Sequence, residues 1–115
     1  MAFLSSNEEE NLAKQIKVAI KDKLLSDFKN QQGRLVIEVD EVIIYEMTID
    51  EMKSNRDIIV IGYIYAGARV WVGFHDGKSN DSFYLRNDKA FEFIYNTDIE
   101  KYTLNNAGEV KIFIV

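Results

Sequence analysis

The sequence predicts an α+β domain in which an N-terminal amphipathic helix packs across a bent, mainly antiparallel sheet of about five strands. Three observations point there. Leu12, Ile16, Ile20, Leu24 and Phe28 recur at i+4 spacing, which is one apolar stripe of a helix. From Arg34 onward the chain is rich in Val, Ile and Tyr, broken by Asn, Asp and Gly clusters. Between Ile58 and Ala68 no charge intervenes, and the stretch from Asp57 to His75 carries the only Trp and the only His. Such a run must be covered by its neighbours.

Composition bounds the rest. At 115 residues, with 47% hydrophobic and 29% charged residues, the chain reads as one domain spanning 1–115. Cysteine is absent, which excludes disulfides, thiolate metal sites and a cysteine nucleophile. Proline is absent too, so slow prolyl isomerisation does not enter folding. The first residues lack the charge and apolar pattern of a secretory signal, and no run approaches the ~20 apolar residues that cross a bilayer. A soluble, cytoplasmic protein is expected. A net charge of −5 and a pI near 4.9 disfavour nucleic acid and anionic membranes and suit a basic protein partner.

The helix is expected over residues 5–30. Ser6 with Glu9 fits a capping box, Glu8, Glu9 and Glu10 suit the positive end of the dipole, and Lys29 with Gly33 mark the stop. Val18 and Leu25 sit beside the stripe as candidates to widen it, and the lysines at 14, 17 and 21 read as a solvated face.

Arg34 to Met47 reads as one long strand, alternating through Leu35, Ile37 and Val39. After Asp40-Glu41 the apolar residues become contiguous, and without Gly or Asn this predicts a bulge rather than a turn. Thr48 to Asp57 is polar and reads as a connector, with Thr48 and Glu51 capping a helical turn. Ile58 to Ala66 is a strand, and Gly67 is expected to kink it on its way to His75.

Asp76 to Asp81 is the strongest turn signal, and Ser82 to Arg86 returns from it as a short strand. Ala90 to Tyr95 is another. Asn96-Thr97-Asp98 is expected to cap a helical turn through Tyr102, with Asn105 to Gly108 reversing the chain. Glu109 to Val115 closes as a strand apolar enough to require pairing and burial. This order of elements, a helix and then sequential strands, resembles cystatin-like arrangements of a helix in a curved sheet. The resemblance concerns fold alone.

Catalytic patterns fail by absence. There is no phosphate-binding glycine loop and no Gly-x-Ser-x-Gly elbow, and a single His forbids a two-His metal site. His75, Ser79 and Ser82 have no spacing that makes a nucleophile and base, and Asp76, Asn80 and Asp81 depart from the EF-hand pattern. No cofactor, metal or catalytic residue is expected.

Two groups remain as candidate binding residues. Glu38, Asp40 and Glu41 form an acidic bend able to engage Lys and Arg of a partner. Tyr63, Tyr65, Arg69 and Trp71 share one strand parity, which makes an aromatic-cationic row. That row is core under the helix, with Ile64, Val70 and Val72 on the solvent side, or a partner surface, or, with His75, the lining of a small-molecule pocket between helix and curved sheet. The leading expectation is a small acidic, non-enzymatic inhibitor of a more basic protein, of bacterial immunity or phage counter-defence type. The alternatives are a small-molecule binder or minimal enzyme using that pocket, and a homodimer formed through the sheet.

Overall fold

The i+4 stripe forms the buried side of α1 (Ser6–Asp27). In the computed structural model, which describes residues 4–27, 36–54, 60–74 and 80–115, Leu12, Ile16, Ile20 and Leu24 are at most 3% exposed. The expectations on Phe28, Lys29, Gly33, His75, Asp76 and Ser79 lie outside the described residues. The cap sits one residue earlier than the sequence suggested. Ser5 Oγ accepts from the Glu8 N–H at 3.3 Å, and Glu8 Oε1 accepts from the Ser5 N–H at 2.9 Å. The sequence holds two overlapping Ser-x-x-Glu boxes, and burial of Leu4 beside Ser5 favours the first. Val18 and Leu25 do not widen the stripe, being 58% and 39% exposed.

Six strands follow: β1 (Val36–Lys53), β2 (Ile61–Phe74), β3 (Asn80–Asn87), β4 (Phe91–Asn96), β5 (Lys101–Leu104) and β6 (Ile112–Ile114), every pairing antiparallel. β1 runs beside the whole of β2 on one side. On the other side β3 pairs with residues 67–73 of β2 and β4 with residues 61–64, so β3 and β4 are collinear. β6 pairs with β3 and β5 with β4 in the same way. The sheet is therefore a meander of four long rungs, the last two broken midway, with α1 packed against β1 and β5.

The breaks are stitched by polar side chains. Asn87, the buried polar residue among those described, accepts from the Ala66 N–H at 2.9 Å, where β2 has left β4 and not yet met β3. Its amide donates to the Lys89 carbonyl at 2.6 Å. Asp88 Oδ1 accepts from the N–H groups of Lys89 and Lys111, both at 2.8 Å, and Asn106 Oδ1 accepts from the Glu92 N–H at 2.8 Å. Hydrogen bonding to the Lys111 N–H is the main reason the Asp88 carboxyl titrates below its ordinary range.

Three expectations change. β1 does not end at Met47 and Thr48-Glu51 caps no helical turn, because Ile49 and Met52 keep the inward positions of a strand while Thr48 and Asp50 point outward. Residues 96–102 form a hairpin instead of a helical turn. Asn96 Oδ1 accepts from the Asp98 N–H at 2.9 Å, Glu100 takes φ 55°, and Tyr102 in β5 packs edge-on against Phe93 and Tyr95. The closing strand is paired but only half-covered, since Phe113 and Val115 are 47% and 66% exposed on a face that no second layer covers among the described residues.

The predicted bulge in β1 is present, and it is one of four. Single extra residues at Ile37, Asp40, Tyr45 and Glu51 shift the register against β2. Gly67 neither reverses nor ends β2.

Candidate functional site

Burial on β2 decides which face is which. Ile64, Ala66, Ala68, Val70 and Val72 are at most 6% exposed and join the α1 stripe in one core. Tyr63, Tyr65, Arg69 and Trp71 therefore face away from the helix, half-buried or exposed. Of the readings of this row, the one that made it core, with Ile64, Val70 and Val72 toward solvent, is therefore incorrect. Burial also removes the row from any cavity under the helix, because the space between α1 and the sheet is filled by Leu12, Ile16, Leu24, Ile64, Phe91 and Phe93, each at most 1% exposed.

Antiparallel sheets with one solvated face normally carry polar residues there. Here the outer face of β1, β2, β3 and β6 carries Ile43, Tyr45, Tyr65, Tyr84, Phe113 and Val115, all at least 42% exposed. Register places them in rows across the strands. Ile43, Arg69 and Tyr84 make one row, and Glu46, Gly67, Arg86 and Phe113 make the next. Large exposed apolar side chains set among Arg69, Glu46 and Arg86 make this face a candidate interaction surface.

Arg69 is built into this surface. Its guanidinium lies 4.6 Å from the Trp71 ring centroid and 5.4 Å from that of Tyr84, and it donates to Ser82 Oγ at 3.4 Å. Nε is buried without a hydrogen-bond partner among the described residues, and two ring faces lie within cation–π reach of the guanidinium. Tyr45 meets Tyr84 edge-on at 5.7 Å, which continues the aromatic cover onto β1.

The acidic residues sit along its margin. Glu38, Asp40 and Glu41 are all exposed, and the extra residue at Asp40 lets two successive carboxylates leave the core side between buried Val39 and half-buried Val42. The extra residue at Tyr45 does the same for Tyr45 and Glu46. β1 holds six acids against one lysine, a balance of −5 that equals the net charge of the whole chain. The remainder is neutral overall. Sequence reading missed Tyr45, Glu46, Tyr84, Arg86 and Phe113, because their convergence depends on register between strands distant in sequence.

Between the second of these rows and the Thr48–Tyr65 pair lies a trough of about 260 Å³, bounded by Glu46, Thr48, Tyr65, Arg86 and Phe113, with Gly67 in its floor. Arg86 reaches Glu46 across the glycine at 3.5 Å, both side chains about half-exposed. A second, more polar hollow of about 600 Å³ lies further along, between Tyr63, Lys89, Glu92 and Glu109.

Asn80 and Asp81 do not belong to a loop. They open β3, opposite Gly73 and Val72. Among the described residues no three His, Asp or Glu side chains converge as a metal site, and no helix is long and apolar enough to cross a membrane. Comparison with protein-family models, curated proteins and solved structures gives no match, so the functional reading rests on this surface alone.

Proposed function

We propose that this chain is a small, non-enzymatic binding protein that engages a more basic protein through the outer face of β1 and β2. The observation that carries the reading is the concentration of the entire net charge on β1, beside half-exposed Tyr, Trp and Arg side chains. Aromatic residues and arginine are what protein interfaces use as anchors, and a charged rim speeds and orients encounter. Glu38, Asp40 and Glu41 form that rim at one end of the strand. An inhibitor of immunity or phage counter-defence type, acting in the cytoplasm on a toxin, nuclease or nucleic-acid-handling effector, is the setting we propose.

Titration against a panel of basic effectors at low and high ionic strength tests this. A cognate partner is expected to bind at low salt and to lose at least about tenfold in affinity at high salt. A variant combining Glu38→Lys, Asp40→Lys and Glu41→Lys should show the same loss at low salt. Binding indifferent to both salt and charge reversal would overturn the proposal.

A further inference from the structure

We infer that the trough over Gly67 receives an arginine side chain of the basic partner, and that Arg86 occupies its carboxylate until then. This rests on the reading of the chain as a binder of basic protein and names the anchor that such a protein would insert.

Gly67 supplies no side chain to its row and the Tyr45 ring covers it from one side, so the open part of the trough lies beside that ring, toward Thr48, Tyr65 and Phe113. Glu46 and Arg86 face each other across Gly67 from the flanking strands. Tyr65 and Phe113 line it, each about half-exposed, with Tyr45 leaning over the glycine from the other side. A planar cation is the chemistry that this combination satisfies. A guanidinium stacks on aromatic faces and pairs with a carboxylate through parallel N–H groups, whereas a lysine ammonium does the second as a point charge only. The same face shows the arrangement in the adjacent row, where Arg69 lies against Trp71 and Tyr84.

Arg86 is the internal counterpart. At 3.5 Å, with both partners about half-exposed, its bond to Glu46 is of the weak, solvent-screened kind that an incoming cation exchanges readily. The charge of β1 favours cations over neutral ligands at this place.

The test uses the intact protein and three short peptides, in which glycine alternates with arginine, lysine or tryptophan. Affinities are measured by calorimetry at low salt, and the Gly67 amide is followed by NMR. The arginine peptide is expected to bind several-fold tighter than the lysine peptide and to shift the Gly67 amide. Glu46→Gln should weaken the arginine peptide by about tenfold, and Arg86→Ala should tighten it by up to about fivefold while moving the lysine peptide less. Both substitutions are at exposed side chains, so folding is preserved. Equal affinity for arginine and lysine, untouched by Glu46→Gln but abolished by the reversal at Glu38, Asp40 and Glu41, would overturn the anchor and leave the basic-partner reading standing. Preference for the tryptophan peptide would overturn the anchor as well. Failure of both cationic peptides to bind would remove the basic-partner reading with it.

Discussion

The ring of Tyr45 lies over Gly67, close enough that a Cβ there would stand 2.8 Å from Cζ. The ring of Phe93 covers Gly62 still more closely on the opposite face of the same strand. The two contacts look alike and differ in one respect. Tyr45 is half-exposed and free to swing outward, while Phe93 is fully enclosed.

That difference predicts different costs for adding one methyl group. Gly67→Ala should stay within about 1 kcal/mol of the parent, because an alanine also lowers the entropy of the unfolded chain. Gly62→Ala should lose about 2 kcal/mol or more, because an overpacked core cannot relax. Urea denaturation of both variants checks this, and equal losses would contradict it.

Asn87 is the side chain that completes β2 where the third rung breaks. Asn87→Ala strands the buried Ala66 N–H and should cost about 1–3 kcal/mol. Asn105→Ala, a change at an exposed Asn, should stay within about 0.5 kcal/mol. Thermal melts of the pair separate the two.

The helix start offers a test one residue wide. Ser5→Ala removes the observed cap and should cost about 1 kcal/mol, whereas Ser6→Ala should cost only a few tenths. The reverse order would move the cap back to Ser6.

Asp88 gives a pH dependence of definite sign. Its folded-state pKa lies below the ordinary value of 3.8, so its contribution is present above that value and is lost as pH falls through the lowered one. Asp88→Asn keeps an acceptor oxygen but cannot titrate. Its stability should therefore vary less with pH in the window below 3.8 than that of the parent, as chemical denaturation across acid buffers would show.

Much of the fold was legible in local pattern. The i+4 stripe located α1, and the loss of alternation after Asp40 located a bulge, because both features are periodicities of one segment. Position 48 misled for the opposite reason. Thr48 and Asp50 resemble a connector when read consecutively, yet each is the outward residue of a strand whose inward residues are Ile49 and Met52. The parity that joined Tyr63, Tyr65, Arg69 and Trp71 was correct, but parity does not say which face is covered. That is set by where α1 lands, and Val70 and Val72 are as suitable for a core as Tyr and Trp.

Gln15 has a consequence for how this molecule meets others. Its amide donates to the Tyr102 carbonyl at 2.9 Å and accepts from the Leu104 N–H at 3.0 Å, as a residue of a neighbouring strand would. The β5 half of one margin of the sheet is thereby plugged from within, β6 forming the other half. The opposite margin, β1, is interrupted by four extra residues and lined with like charges, which spoils it as a template for another chain. Growth by adding strands, the route to fibres and swapped assemblies, is obstructed along β5 and along β1.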